Sequence, residues 1–208
     1  MRVPVATYRI QLNKDVRFEH ARALVPYLQR LGVTDLYVSP IFKARAGSTH
    51  GYDVTDPTVL NPELGTEEDL DALVAALREH GMGLLVDIVP NHMAVSHESP
   101  WWWDVLAKGE RSPFAKVFDV TWKTRRRALA VKVLLPVLGA SYGTILEKGE
   151  LKVEAGQLRY WDRRFPLSGD VPEEPTADAL DALLRRQAYR LAHWKTASPE
   201  INYRRFFD

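Results

Sequence analysis

Two short segments carry side chains suited to holding a hydroxyl-bearing ring. Residues 87–92 read Asp-Ile-Val-Pro-Asn-His and bring together a carboxylate, an amide and an imidazole, and residues 47–53 read Gly-Ser-Thr-His-Gly-Tyr-Asp. An imidazole can donate to a ligand oxygen, and a tyrosine offers a flat ring face beside a hydroxyl group. The same residues also suit plain roles, because Asn91 and His92 can cap a loop and Tyr52 can lie in an ordinary turn.

Alternating strands and helices must position these two segments. Apolar spacing predicts five elements in the first ninety residues, which are strands at 3–12, 33–39 and 83–90 and helices at 18–31 and 66–81. Thr66 with Asp69 resembles a capping box at the start of the second helix. The connections are long enough for right-handed parallel crossovers. The pattern predicts an α/β fold, and periodicity alone leaves a barrel and a doubly wound sheet open.

Both polar segments follow strands of the predicted parallel sheet, so they share its carboxyl edge. In parallel α/β barrels, function is built at that edge. Strand alternation directs Asp87 and Val89 to one side, so the carboxylate points into a barrel interior or across its rim. A buried carboxylate needs a partner, often an arginine. Gly51 allows a tight or positive-φ turn immediately before Tyr52.

The remaining residues carry weaker signals. The sequence predicts an irregular loop at 41–65, a loop at 96–118, a strand at 129–136, short strands of an antiparallel meander at 144–146, 151–153 and 158–161, and a helical segment at 176–194. The loop at 96–118 contains Trp101, Trp102 and Trp103, which could line a pocket, although packing is the commoner role.

Composition limits the functions that the chain can have. The 208 residues are 46% hydrophobic and 26% charged, which is typical of globular proteins. The formal net charge of +1 produces no strong positive field that would attract a nucleic acid. The basic run Arg125, Arg126 and Arg127 is interpreted as a solvated loop or strand end. The absence of cysteine excludes disulfides, thiolate nucleophiles and cysteine-based zinc sites. Without a signal-peptide core or an apolar stretch of ~20 residues, we expect a cytoplasmic protein with no membrane partner.

The two polar segments together resemble the α-amylase superfamily of glycoside hydrolases. The resemblance lies in residues 51–53 (Gly-Tyr-Asp) after the second strand and in Asp87, Asn91 and His92 around the third. It covers essentially the whole chain, because three further segments look like the maltooligosyltrehalose synthases of that superfamily, namely residues 7–12 (Thr-Tyr-Arg-Ile-Gln-Leu), 134–139 (Leu-Leu-Pro-Val-Leu-Gly) and 200–207 (Glu-Ile-Asn-Tyr-Arg-Arg-Phe-Phe).

The resemblance implies the N-terminal part of a (β/α)8 TIM barrel. Residues 1–92 would form the first three β/α units, residues 93–176 an inserted small α+β subdomain, and residues 177–208 a helix and segment that return to the barrel. A complete barrel takes about 250 residues, so this one would be incomplete, with its third strand left as an edge. We therefore expect a fragment, a split-enzyme subunit or one piece of a longer enzyme.

The resemblance also implies roles for single residues. Tyr52 is similar to the tyrosine that stacks under the sugar next to the scissile bond, and His92 to the histidine that hydrogen-bonds the 6-hydroxyl of that sugar. Asp87 resembles a supporting carboxylate that pairs with an arginine of the next barrel strand. His50 and Asp53 are grouped with the substrate-binding residues, with Asp53 bracing those that touch the sugar.

The resemblance implies neither a metal nor another cofactor. Asn91 resembles a calcium ligand of many amylases, but maltooligosyltrehalose synthases are not generally metal-dependent, so it is assigned to loop support. Some exo-acting relatives carry an aspartate three residues before the stacking tyrosine and use it to recognise a chain end. Thr49 stands at that position here, which argues against this type of chain-end recognition. A retaining mechanism needs two carboxylates about 5–5.5 Å apart. In the family the two catalytic carboxylates lie on later barrel strands. We therefore expect no catalytic residue in this chain and expect the nucleophile and the general acid beyond Asp208.

The implied reaction is a retaining intramolecular transglycosylation in trehalose biosynthesis. It converts the reducing-end α-1,4 bond of a maltooligosaccharide into an α,α-1,1 bond, within a pocket that keeps glucose in and water out. The expected partners are the maltooligosaccharide and the remainder of the catalytic barrel, and the chain alone is expected to be inactive. Three alternatives stay open: another hydrolase of the superfamily, a non-catalytic glucan-binding module, and a structural fragment without a function of its own.

Overall fold

The chain folds into two compact units of mixed α/β structure. The computed structural model describes residues 3–123, 131–197 and 200–203. One unit spans Met1–Ala94 and the other Val95–Asp208. The elements in chain order are β1 (Thr7–Ile10), α1 (Phe18–Arg30), β2 (Asp35–Val38), β3 (Phe42–Ala44), β4 (Val54–Leu60), α2 (Glu67–Glu79), β5 (Gly83–Val86), α3 (Pro100–Lys108), a 3-10 turn (Gly109–Arg111), β6 (Val133–Leu138), α4 (Tyr142–Glu147), β7 (Leu151–Glu154), β8 (Gln157–Tyr160), β9 (Arg163–Pro166), α5 (Ala177–Leu184), β10 (Tyr189–His193) and α6 (Trp194–Ala197).

A parallel sheet forms the centre of the first unit. Its three strands lie in the order β1-β2-β5, and both pairings are parallel, as the strand–helix alternation predicts. Helices α1 and α2 contribute Phe18, Val25, Leu28 and Leu73 to a buried cluster that also contains Leu36 of β2. Burial of these apolar side chains fixes the helices on the sheet and leaves the strand ends available for polar residues.

The start of α2 is stabilised by the predicted capping box. The Thr66 hydroxyl accepts a hydrogen bond from the Asp69 backbone N–H at 3.3 Å, and the Asp69 carboxylate accepts one from the Thr66 backbone N–H at 2.9 Å. These two bonds satisfy N–H groups that have no partner within the helix. The boundary predicted at Thr66 is confirmed.

The third strand is shorter and less covered than its apolar sequence indicates. The prediction was a strand at 83–90 buried on both faces, but β5 ends at Val86 and Leu85 is 38% exposed. The strand lies at the outside of the described sheet, paired only with β2. An outer strand has a neighbour on one side only, which explains its partial exposure.

The segment at 41–65 is more regular than predicted. It contains β3 and β4, which pair antiparallel with register shifts on either side of Lys43. The glycine and proline residues that favoured an irregular loop lie mostly in the connection between the two strands and after β4. That connection, residues 45–53, carries the Gly-Tyr-Asp segment.

The second unit combines a parallel pair with an antiparallel meander. Strands β6 and β10 pair in parallel, and β7, β8 and β9 form the antiparallel sheet. The predicted meander is present, but residues 144–146 belong to α4 and its third strand is β9. Ser141 caps α4 by accepting a hydrogen bond from the Thr144 backbone N–H at 3.3 Å, a helix-start signal that the strand prediction missed.

Two further predictions in the second unit were wrong. Residues 100–108 of the predicted loop form α3, whose N-cap is Ser99 with a proline at the next position. The helical segment predicted at 176–194 ends at Leu184 and is followed by β10, in which Tyr189 and Leu191 are buried around the exposed Arg190. Buried and exposed side chains alternate with a period of two in β10, as in a strand. Parallel pairing with β6 thus outweighs the helical spacing of apolar residues that predicted a helix up to residue 194.

The tryptophan cluster is part of the packing of the second unit. Trp102 is 3% exposed and packs against Phe118 and Tyr203, with ring centroids 4.8 and 5.1 Å away. Trp101 stacks on Phe114 at 5.0 Å. Packing is therefore the role that the contacts of these two rings support.

Some predicted features lie outside the described residues. They are the basic run Arg125, Arg126 and Arg127, the first residues of the strand predicted at 129–136, and the end of the segment at 200–207.

We expect Thr66→Ala to lower the free energy of unfolding by about 1 kcal/mol, because it removes the N-cap of α2. Thr66→Ser keeps the hydroxyl and should lose a few tenths at most. Urea denaturation of both variants measures the difference. Equal losses in Thr66→Ala and Thr66→Ser would contradict a stabilising capping box.

Candidate substrate-binding site

The hydroxyl group of Tyr52 lies at the centre of a hydrogen-bond network. It accepts a bond from Arg9 Nη2 at 3.0 Å and donates one to Asp87 Oδ2 at 2.5 Å. Tyr37 donates a second phenolic hydrogen bond to the same Asp87 oxygen at 3.0 Å. Asp87 therefore holds two tyrosines, and Tyr52 links that carboxylate to the Arg9 guanidinium.

Strand register explains why these four residues meet. Arg9 of β1 and Tyr37 of β2 are direct register partners, so their side chains lie on the same face of the sheet. The Arg9 guanidinium lies 5.5 Å from the centroid of the Tyr37 ring, within the range of a cation–π contact. Asp87 follows β5 and donates its backbone N–H to the Val38 carbonyl oxygen at 2.9 Å, which extends the sheet by one bond.

The network shifts the pKa values of Asp87, Tyr52 and Arg9. The hydrogen bond from Tyr52 lowers the pKa of the Asp87 carboxyl, so this group is ionised at neutral pH. The same bond raises the pKa of the Tyr52 phenol, because the ionised carboxylate stabilises its protonated form. Hydrogen bonding to Tyr52 raises the pKa of Arg9. An ionised Asp87 with the Tyr52 phenol protonated is thus the stable state near neutrality.

The turn before Tyr52 depends on Gly51. Its φ is +78°, as the sequence predicts, and a Cβ atom there would lie 3.0 Å from the Pro40 carbonyl oxygen. A side chain would meet both the backbone strain of a left-handed conformation and this close approach. The turn places Tyr52 where its hydroxyl reaches Asp87.

The rest of the Gly-Tyr-Asp loop is braced by short polar contacts. Ser48 donates to Asp53 Oδ1 at 2.5 Å, and Gln11, just after β1, donates to the His50 carbonyl oxygen at 2.9 Å. His50 Nδ1 accepts the Tyr52 backbone N–H at 3.0 Å, and the two rings stack with centroids 5.9 Å apart. Because that nitrogen acts as an acceptor, its 3.9 Å separation from Asp53 is not an ion pair in this state.

His92 joins the same site through the main chain. Its Nε2 atom lies 3.1 Å from the Tyr52 carbonyl oxygen, so this nitrogen carries the donated proton. The bond ties the segment after β5 to the Gly-Tyr-Asp loop. A contact between this nitrogen and a ligand would have to replace the bond to Tyr52.

The structure brings most of the sequence-predicted residues together. Tyr52, Asp87 and His92 form one connected group, while His50 and Asp53 brace the loop beside it. Asn91 is exposed, and its side chain bonds to none of the residues that the structure describes. The individual roles in sugar binding stay predictions.

Sequence reasoning missed Arg9, Gln11 and Tyr37. An arginine partner for Asp87 was expected from a later strand, whereas its described partners are Tyr37 and Tyr52. The signal was present, because Arg9 and Gln11 alternate toward one face at the end of β1. The alternation identifies Arg9 as a site residue only once the register of β1 with β2 places it beside Tyr37.

The described part of the chain offers neither a metal cluster nor a membrane span. No group of three or more histidine, aspartate or glutamate side chains there is placed to hold a metal ion. None of the helices within residues 3–123, 131–197 and 200–203 is both long and apolar enough to cross a bilayer.

Asp87→Asn and Tyr52→Phe test the central hydrogen bond by a double-mutant cycle. We expect a coupling of about 1 kcal/mol at pH 7, because each change removes the same charge-assisted bond. The pKa of Asp87 is lower in the folded state than in the unfolded state. The hydrogen bond therefore contributes its full stabilisation at pH values above the unfolded-state pKa, and this contribution is lost as the pH falls through the pKa of the folded state. Urea unfolding at pH 7 and at lower pH measures the coupling.

The control for this cycle is Asp71→Asn, an exposed acid on α2. It should show no coupling to Tyr52→Phe at any pH. A coupling that stays constant on acidification, or that is absent at pH 7, would contradict an ionised Asp87 as the acceptor.

Gly51→Ala should lower the free energy of unfolding by about 2 kcal/mol through backbone strain and the contact with the Pro40 carbonyl. Gly47→Ala is the matched comparison, because Gly47 has a φ of +72° but open space where its Cβ atom would lie. It should cost only the strain, about 1 kcal/mol. Thermal unfolding of both variants measures the difference, and a smaller loss in Gly51→Ala than in Gly47→Ala would be contrary to this explanation.

Comparison with known proteins places the site in a family. Residues 23–127 match the family model described as alpha amylase, catalytic domain, which is half of the chain. A putative maltooligosyl trehalose synthase of Mycobacterium tuberculosis is 41% identical over 98% of this chain and 26% of its own length. The alpha-amylase SusG of Bacteroides thetaiotaomicron is 38% identical over 52% of this chain and 15% of its own.

A solved structure gives the same result. Maltooligosyltrehalose synthase from Arthrobacter ramosus superimposes with a TM-score of 0.85 at 39% identity, over 98% of this chain and 26% of that enzyme. The chain thus spans about a quarter of the length of the synthases that it matches. The chain belongs to the α-amylase catalytic-domain family, and within it the chain is similar to the N-terminal portion of maltooligosyltrehalose synthases.

Proposed function

We propose that this chain supplies the sugar-holding part of a maltooligosyltrehalose synthase active site. The observation that carries the proposal is the extent of the similarity. The match to the synthase of M. tuberculosis covers 98% of the chain, whereas the match to the amylase SusG covers 52%. The synthase match therefore includes both units, whereas the SusG match leaves about half of the chain unmatched.

The Tyr52 network supports a role in positioning one glucose unit. The Tyr52 ring is held at its hydroxyl by Asp87 and Arg9, so it presents one fixed face for a sugar to stack on. Asp87 is already engaged as an acceptor of two phenolic protons, which suits it to support rather than to nucleophilic attack. His92 is the proposed hydrogen-bond donor to a sugar hydroxyl. Its Nε2 atom bonds the Tyr52 carbonyl oxygen, which keeps the imidazole beside Tyr52.

The proposed reaction is intramolecular transglycosylation with retention. A carboxylate attacks the anomeric carbon at the reducing-end α-1,4 bond, and the leaving glucose takes a proton from the general acid. The glucose turns, and its anomeric hydroxyl attacks the glycosyl-enzyme, giving its proton to the deprotonated general acid while the nucleophilic carboxylate leaves. In the family's order both carboxylates come from later barrel strands, so this chain contributes binding and orientation, and by itself performs no turnover.

The proposal includes an architecture. The first unit would be the opening three β/α units of an eight-stranded barrel, and residues 93–176 an inserted subdomain. The outer position of β5 is consistent with a further strand pairing there. The remainder of the barrel is then the required partner of this chain.

A hydrolase of the same family is the second candidate. The match of residues 23–127 to the general α-amylase domain favours it, since that segment contains Tyr52, Asp87 and His92 and serves hydrolases equally well. The two candidates differ in whether water reaches the glycosyl-enzyme. Product analysis therefore separates them.

A chimera tests the proposal. The equivalent quarter of the A. ramosus synthase is replaced by this chain, and the product is incubated with maltopentaose. We expect reducing ends to disappear without shortening of the oligosaccharide. In the same chimera, Tyr52→Ala should lower kcat/KM about 100-fold through loss of the stacking face, while Tyr52→Phe keeps the ring and should lose about tenfold or less.

The parent A. ramosus enzyme is the control for assay conditions, and circular dichroism with thermal melting checks that each chimera folds. A folded chimera that shortens maltopentaose and creates reducing ends would favour the hydrolase. Equal losses in Tyr52→Ala and Tyr52→Phe would contradict stacking on the ring.

A further inference from the structure

A cavity in the second unit lies beside the end of α5 and the strand β10. Its volume is about 210 Å³, and it is partly open to solvent. The polar side chains that line it are Lys132, Tyr142, Asp181, Arg185 and Arg190. None of them belongs to the network around Tyr52.

Lys132 is anchored at this cavity without a carboxylate partner among the described residues. Its ammonium group donates to the carbonyl oxygens of Arg185, at 2.8 Å, and of Gln187. Burial lowers the pKa of Lys132, and the nearby charge of Arg190 lowers it further. A neighbouring carboxylate would raise that pKa instead, so the described residues leave this positive charge uncompensated.

Arg190 adds a second positive charge. It lies on β10 between the buried Tyr189 and Leu191, and its guanidinium forms no hydrogen bond or ion pair with any residue that the structure describes. An arginine guanidinium has five N–H donors in a planar fork that matches phosphate and carboxylate oxygens. These donors are available to a ligand in the cavity.

The one acid among the described residues of the lining is already occupied. Asp181 accepts a hydrogen bond from Arg185 at 2.7 Å and another from the Tyr142 hydroxyl at 2.9 Å. Burial, followed by the bond to Asp181, raises the pKa of the Tyr142 phenol, which stays neutral. Asp181 bonds Arg185 and also interacts with the charge of Arg190, so its single negative charge offsets one of the three positive charges of the lining and leaves an excess of two.

We propose that this cavity binds the phosphate group of a small phosphorylated metabolite. Two uncompensated cations suit a dianion, and the arginine fork suits its oxygens. The volume suits a phosphate group with a small body. The ring of Tyr142 and the side chains of Leu184 and Leu191 offer that body apolar surface.

The ligand class differs from that of the site around Tyr52. A maltooligosaccharide carries no charge and can only accept neutral hydrogen bonds from Lys132 and Arg190, whereas a phosphate ester adds charge-assisted contacts with both. The cavity is thus a site for a charged small molecule that is distinct in chemistry from the glucan substrate.

The chain is titrated with glucose 6-phosphate, inorganic phosphate and glucose, each to about 10 mM, and followed by calorimetry and by amide chemical shifts. We expect glucose 6-phosphate to bind, with shifts at Arg190 and Leu191, and glucose not to bind. Inorganic phosphate that binds as tightly as the ester would assign the site to the free anion; tighter binding of the ester would assign it to the metabolite. Added salt should weaken either, because the attraction is electrostatic.

Arg190→Gln should weaken binding about tenfold, since it removes one charge-assisted contact. Arg186→Gln is the matched control, because Arg186 is exposed after the same helix but does not line the cavity. Lys132→Gln, checked for folding by its melting temperature, is the second variant and should also weaken binding. Absence of binding by both phosphate probes, equal binding of glucose, or unchanged affinity in Arg190→Gln would overturn the proposal.

Discussion

The ionised carboxylate of Asp87 is the constraint on which the candidate site depends. It accepts phenolic hydrogen bonds from Tyr37 of β2 and from Tyr52 of the loop after β3, and so joins two segments that are distant in sequence. Tyr52 in turn receives Arg9 from β1. A protonated Asp87 would lose its charge and gain a donor O–H, and the orientation of the Tyr52 ring would no longer be determined by charge. The geometry of the binding face therefore follows from one acid staying charged.

Much of the first unit could be predicted because its local signals agree with its tertiary structure. The helix start at Thr66, the positive φ of Gly51 and the parallel order of the strands each have a local chemical cause. The pairing of Asp87 with an arginine of the next barrel strand stays a prediction, and among the described residues the Asp87 side chain accepts hydrogen bonds from Tyr37 and Tyr52. Its partners could not be predicted, since they depend on the register between β2 and β5 and on the turn at Gly51 rather than on sequence distance.

The second unit was harder to predict because its local signals compete. The spacing of apolar residues at 176–194 is helical, but the chain leaves the helix after Leu184 so that β10 can pair with β6. The opposite error occurred at α3, where Ser99 and the following proline are start signals that the tryptophan cluster obscured. In both places long-range packing decided between local alternatives of similar strength.

The division of the chain matches a division of chemistry. The first unit carries a candidate site for a neutral ligand, built from aromatic rings and hydrogen bonds, and the second carries a cavity with two cations that the described residues leave uncompensated. Similarity to the synthases covers both units, whereas the general α-amylase model ends at residue 127.

The most direct measurement of the central claim is the acid titration of the Asp87 side-chain carboxyl carbon by NMR, in the unmodified chain and in Tyr52→Phe. We predict a midpoint below 3.8 in the unmodified chain, and a higher midpoint once the Tyr52 hydroxyl is removed. A midpoint at or above 3.8 in the unmodified chain, unchanged by Tyr52→Phe, would show that Asp87 does not hold the tyrosine.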